Sequence, residues 1–191
     1  PEPSNRFRLA RLNRNGTLDS EFNMEVNNAV NALAVQRDGK IIVGGSFTTF
    51  KNAAEEGVAN RTYLGRLNPD GTVDSEFYPL VSGFVGQIAV AADGGFLVGG
   101  NFTAAWSRGT TVKTRNYVAR FHPDGTLDNA FDPGVNSTVS AFAFQPDGKF
   151  ILGGYFTRVQ PAGAAAGVVR NHVARFNRNG TLDTDFQLDD G

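Results

Sequence analysis

The sequence predicts an all-β chain of β-propeller blades, with about three and a half four-stranded repeats of roughly 55 residues forming an open arc or part of a larger propeller. Three observations predict it. A phrase recurs as Leu9 to Phe22, Leu64 to Phe77, Val118 to Phe131 and Val173 to Phe186, and its glycines (Gly16, Gly71, Gly125, Gly180) are spaced by 54 or 55 residues. A period in that range belongs to repeat architectures. Apolar residues between the phrases alternate with period two, and no segment carries a helical apolar stripe. The array divides into a partial unit 6–30 and units 31–85, 86–139 and 140–186 within 1–191.

Each element has its own cue. Residues 1–5 read as an irregular lead-in. Arg6 to Asn13 alternates and ends at Asn15-Gly16, with matching turns at Asp70-Gly71, Asp124-Gly125 and Asn179-Gly180. Glycine accepts the positive φ that such hairpin turns require. A short strand, Thr17 to Asp19, follows and is closed by Phe22. Next come Asn31 to Gln36 and its counterparts Gln87 to Ala92 and Ser140 to Gln145. One parity carries Leu33/Val35, Ile88/Val90 and Phe142/Phe144; the other carries paired alanines. Two apolar faces, one large and one small, place these strands between packed layers. The third segment, Ile41 to Thr48, recurs as Phe96 to Thr103 and Phe150 to Thr157. Its Gly-Gly pair marks a bulge or a close approach of another backbone. The stretches 49–60, 104–114 and 158–169 differ in sequence and read as surface loops. A β-trefoil or prism would also repeat internally, but neither accounts as well for two-faced burial.

Composition narrows the function. The chain has 191 residues, 40% hydrophobic, with net charge −1 and no cysteine. A basic field for nucleic acid is missing, apolar runs are too short for a membrane span, and disulfides and thiolate metal sites are excluded. Position 1 is Pro, and three Gly-Gly strands accompany four copies of the phrase. The expectation is an excised or processed piece, an arc completed by further blades of the same parent chain or by other copies.

The run Leu-Ala-Arg-Leu-Asn-x-x-Gly-Thr-Leu-Asp-x-x-Phe, followed by Ala-Leu-Ala-Val-Gln-x-Asp-Gly-Lys-Ile-x-Val-Gly-Gly-x-Phe, resembles the bacterial delta-60 repeat over about Arg6 to Phe186. The third unit is the nearest to that pattern. The second departs most, since Ala91-Ala92-Asp93-Gly94-Gly95 leaves its turn without the lysine. The resemblance implies a propeller fold in an extracellular or surface-attached bacterial protein. It supplies no catalytic residue and no cofactor.

The recurring Arg11, Arg66, Arg120 and Arg175 precede Asp19, Asp74, Asp128 and Asp183 by eight residues. Across a hairpin these could pair bidentately. Residues present in every unit serve the unit, and the same holds for Arg6, Arg61, Arg115 and Arg170. A calcium reading of Asp70/Asp74 and Asp124/Asp128 is disfavoured, because each turn offers two carboxylates where calcium takes six to eight oxygens. Asp183, Asp185, Asp189 and Asp190 read as an acidic end. His122 and His172 lack a spaced partner; His172 takes the slot of Tyr63 and Tyr117, as a strand-surface aromatic. Asn15, Asn60, Asn101, Asn136 and Asn179 begin Asn-x-Ser/Thr triplets, a weak glycosylation reading.

Contacts with a partner or ligand are expected where the units differ: Ser46, Asn101 and Tyr155 after the glycine pairs, and Lys51, Glu55, Glu56, Trp106, Arg108, Lys113, Arg158 and Gln160 in the loops. Trp106 is either a sugar-stacking or interface anchor, or a cap on the core beneath its loop. The expected function is a non-enzymatic structural or adhesive module acting through protein–protein contacts or self-association, with glycan binding as the alternative. An enzyme would require a deep pocket with two carboxylates from unlike loops.

Overall fold

Alternation of apolar residues builds strands, and glycine pairs decide where those strands bend. A computed structural model describes residues 6–52 and 58–187, and among them there is no helix. Blade 1 is a meander of three long antiparallel strands, each bent midway. The first comprises Met24–Val26 (β1) and Val30–Val35 (β2), the second Ile41–Gly45 (β3) and Thr49–Asn52 (β4), the third Val58–Asn60 (β5) and Leu64–Leu67 (β6). Their halves form two sheets, β2-β3-β6 and β1-β4-β5. Blade 2 repeats this with Pro79–Val81 (β7), Val85–Val90 (β8), Phe96–Gly100 (β9), Ala104–Ser107 (β10), Lys113–Thr114 (β11) and Val118–Phe121 (β12). Its sheets are β8-β9-β12 and β7-β10-β11. Blade 3 has Val139–Phe144 (β13), Phe150–Gly154 (β14), Arg158–Val159 (β15), Val168–Val169 (β16) and Val173–Phe176 (β17), in sheets β13-β14-β17 and β15-β16. β2, β8 and β13 lie side by side, so the blades form an open, propeller-like arc.

The glycine pair does what its sequence position implies. A Cβ on Gly45, Gly100 or Gly154 would fall 2.1–2.2 Å from a backbone carbonyl of the neighbouring strand (Ala29, Phe84 and Thr138 respectively). The register shifts there, between Val30 and Ala32, Val85 and Gln87, and Val139 and Ala141. The third strand bends at Tyr63, Tyr117 and His172, which take left-handed φ of 65°, 64° and 67°. Each bend carbonyl accepts from the second glycine of the pair (Gly45, Gly100, Gly154) at 2.9–3.0 Å. His172 is therefore a bend residue between β16 and β17, not a strand-surface aromatic.

Two further expectations are corrected. The stretches 49–60, 104–114 and 158–169 are largely the hairpins β4-β5, β10-β11 and β15-β16, because Phe50, Ala105 and Val159 are buried and carry the strands past the bend. Glu55 and Glu56 lie outside the described residues, as do residues 1–5, Asp189 and Asp190. The fourth strand of each unit shrinks to a single bridge (Leu12↔Leu18, Leu67↔Val73, Phe121↔Leu127, Phe176↔Leu182).

The core sits in the seams between blades. Ile42 and Leu64 of blade 1 pack with Val85, Ile88 and Val90 of blade 2; Leu97 and Val118 of blade 2 pack with Val139, Phe142 and Phe144 of blade 3. Large residues thus face the preceding blade and alanines the following one. Of the three inner strands β2, β8 and β13, only β8 has a described blade on both faces. On β2 the large face is open, with Leu33 51% and Val35 67% exposed, and on β13 the small face is open at Ala141 and Ala143. Two-faced burial holds for the middle blade and fails at the two ends of the described array, where no blade covers the face.

Candidate functional site

The recurring phrase is a structural device. In its turn the Asn15, Asp70, Asp124 or Asn179 Oδ1 accepts from the Thr backbone N–H and hydroxyl two residues on, at 2.7–3.1 Å. These bonds hold the Asp70 and Asp124 carboxyls below the usual carboxylate range, the backbone N–H of Thr72 or Thr126 contributing most. Arg11, Arg66, Arg120 and Arg175 pair with Asp19, Asp74, Asp128 and Asp183 at 2.7–2.9 Å. The pairing is not the parallel fork expected. Nε of each arginine goes to Oδ2 alone, and Oδ1 accepts from the backbone N–H two residues on. Each guanidinium also lies over the closing Phe22, Phe77, Phe131 or Phe186, 3.9–4.6 Å from the ring centre.

The same arginines stitch one blade to the next. Arg66 Nη1 donates to the Pro123 carbonyl and Arg120 Nη1 to the Arg178 carbonyl, both at 2.6 Å, and Arg11 reaches the Pro69 carbonyl. The second series caps backbone carbonyls: Arg61 those of Asn60, Asp74 and Ser75, Arg115 those of Thr114 and Asn129. Burial tends to raise the Asp74 carboxyl, but hydrogen bonds and charge from Lys40 and Arg66 prevail and hold it low. Lys149 first, then Arg175, do the same for Asp183. Among the described residues no group of three or more His, Asp or Glu side chains converges as a metal site would require.

The residues that differ between units do not form one cluster. Ser46, Asn101 and Tyr155 hold the same bend in successive blades, half-buried, exposed and 71% exposed respectively. Lys51 is exposed on β4 opposite Glu25, and Arg158 is exposed on β15 opposite Val169. Trp106 is not in a loop. It stands half-buried on β10 opposite Leu80, on the face away from buried Ala105 and Ser107. Exposed Arg108 lies over the Tyr78 ring at 5.0 Å, close by in the chain.

A cavity among the described residues was not among the expected contacts. It lies in the seam between blades 2 and 3, with a volume of about 430 Å³, inside the roughly 300–1,000 Å³ range of small-ligand sites. Its walls come from the 91–95 turn, from Phe96, Phe121, Phe144 and Phe150, and from Arg120 and Asp128. Arg178 and Asp93, paired at 3.4 Å and largely exposed, also line it. Three carboxylates border it, but each is engaged. Asp93 and Asp147 cap the N–H groups of Gly95 and Lys149, and Asp128 pairs with Arg120. The sequence signal was the departure of the second unit at Ala91 and Gly95.

The model of a family described as "Domain of unknown function (DUF5122) beta-propeller" matches residues 2–22, 36–77, 91–131 and 145–186. No curated protein matches the chain.

Proposed function

We propose, for a chain that belongs to the DUF5122 beta-propeller family, a role as a non-enzymatic structural or adhesive module that works by docking on like blades. The delta-60 resemblance supports placing it in a secreted or surface-attached bacterial protein. One observation carries the reading. Leu33 and Val35 are 51% and 67% exposed at the positions where Ile88/Val90 and Phe142/Phe144 pack into a seam. An apolar face of that kind is normally covered by a neighbour. The partner is a further blade, from the same parent chain or another copy.

Size-exclusion chromatography with light scattering tests it. The expected result is a mass above 20.5 kDa that falls to the monomer value in a Leu33→Asp/Val35→Lys variant. A wild-type chain that stays at that mass across all concentrations overturns self-docking.

A second reading, glycan binding, is favoured by the half-exposed Trp106 on an outward strand face beside Leu80, Tyr78 and Arg108. Aromatic faces of this sort accept apolar sugar faces and polar edges together. Binding on a glycan array that disappears in Trp106→Ala supports it; an empty array sinks it.

A further inference from the structure

Blades 1 and 3 each place a lysine beneath the repeated Arg–Asp pair that blade 2 lacks. In blade 1, Lys40 Nζ donates to Asp74 Oδ2 at 2.8 Å, while Gln36 Nε2 crosses the seam to the Gly94 carbonyl at 3.2 Å and Gln36 Oε1 accepts from Arg66 Nη1 at 2.9 Å. In blade 3, Lys149 Nζ reaches Asp183 Oδ2 at 2.7 Å. Blade 2 has Ala91 and Gly95 at these places. The cavity of about 430 Å³ opens where their side chains would lie, with Asp128 and Arg120 on its wall.

We propose that this cavity binds a primary alkylammonium group. Its nitrogen takes the place of the absent lysine Nζ on Asp128, and its aliphatic stem lies against the phenylalanine walls.

The charge pattern argues for a cation. Asp74 and Asp183 each accept from an arginine and a lysine on the same Oδ2, whereas Asp128 has Arg120 alone among the described residues. The Asp128 oxygen therefore holds one cation where those of Asp74 and Asp183 hold two, and Arg178, which also lines the cavity, pairs with Asp93 instead. An anion fits poorly, because the Arg120 guanidinium is already committed to Asp128 and to the Arg178 carbonyl. The lining includes Gln145, whose buried Oε1 has no partner among the described residues. Phe96, Phe121, Phe144 and Phe150 supply the apolar length that a four-carbon stem needs. The group could arrive as a free amine or as a lysine side chain of another protein; the chemistry is shared.

Calorimetric or NMR titration with n-butylamine, with Nα-acetyl-lysine methylamide and with n-butanol distinguishes the possibilities. Saturable binding of either amine, without binding of the alcohol, is expected; the tighter of the two amines identifies the source. Gly95→Lys supplies the protein's own ammonium, as Lys40 and Lys149 do in their blades. A Cβ there has 3.3 Å to its nearest neighbours, Asp93 Oδ1 and the Phe121 carbonyl, and Gly95 is not among the positive-φ glycines. That variant is expected to fold, to melt higher and to lose the amine. Asp128→Asn should weaken the amine roughly tenfold or more, the effect of deleting one charge-assisted hydrogen bond. Equal binding of butanol and butylamine, no saturable amine binding, or amine binding that survives Gly95→Lys would each overturn the proposal. Should Asp128→Asn fail to fold, Gly95→Lys decides alone.

Discussion

Replacing Gly44 by alanine should destabilise the protein, and the same change at Gly153 should not. The two glycines are equivalent, each the first of its pair. A Cβ on Gly44 would stand 2.6 Å from Val85 Cγ1 and 2.9 Å from Ile88 Cδ1 of the next blade. Carbon pairs prefer about 3.5–4.0 Å, so the seam must open by roughly 1 Å. Val85 is fully buried, and its branched side chain has few other rotamers. Overpacking of this kind costs about 1–3 kcal/mol, and the rigid partner places Gly44→Ala in the upper half of that range. For a chain of this size the midpoint falls by about 2–4 °C per kcal/mol, hence by roughly 4–12 °C. At Gly153 the nearest atoms are Ala141 Cβ at 3.6 Å and the His172 carbonyl at 4.0 Å, ordinary contacts. There alanine should be neutral or stabilise by about 0.4–1 kcal/mol through the unfolded chain. Gly45 and Gly154 serve as controls. Each meets a carbonyl of its own blade at 2.1–2.2 Å, so both alanine variants should be poor. Thermal unfolding of the four variants checks the reasoning, which fails if Gly153→Ala is as damaging as Gly44→Ala.

Other outcomes follow from the same geometry. Phe77→Ala, which removes a fully buried ring beneath Arg66, should cost about 3–5 kcal/mol. Phe186→Ala, at a half-buried ring, should cost about 1 kcal/mol; urea midpoints compare the two. The Asp74 carboxyl is lowered in the folded state, so its contribution is complete above the unfolded value near pH 4 and disappears as pH falls through the folded value. The stability gap between wild type and Asp74→Asn, followed by denaturant midpoint, should therefore be constant above about pH 5 and shrink toward pH 2. His172→Gly should raise stability by about 1 kcal/mol, because an exposed non-glycine residue at φ 67° is replaced by one that tolerates it. Differential scanning calorimetry would show the higher midpoint.

Much of this fold was legible because the signals are local. Asn15-Gly16 and its copies announce hairpins, and their glycines do take positive φ. The pair Gly44-Gly45 announces a close approach, and the Ala29 carbonyl is there. Period two reveals strands but not how far they continue, so the hairpins beyond each bend read as loops even though Phe50 and Val159 anchor them. The left-handed bends were hidden because Tyr63 and Tyr117 carry none of the residues that usually mark positive φ. Contacts between blades were out of reach for another reason: Arg66 meets a carbonyl 57 positions away, and nothing local encodes that partner. The cavity is the mixed case. Its cause, Ala91 and Gly95 in place of Gln and Lys, is visible in the sequence, while its other wall, Phe144 to Gly148 and Phe150, comes from the next blade.

The unequal faces of the blades restrict the symmetry of any assembly they form. Large side chains at Leu33 and Val35 offer knobs, and Ala141, Ala143 and bare Gly153 offer seats. A patch of knobs cannot match itself, so a two-fold dimer built on these faces is disfavoured. Knob must meet seat, which makes the contact heterologous and gives the array a direction. Copies added in this way would accumulate with concentration and stop only if their rotation closed a ring; otherwise they would run on as a filament. The side chains left open on β2 and β13 would thus set the direction of assembly, and the rotation between copies whether it is finite.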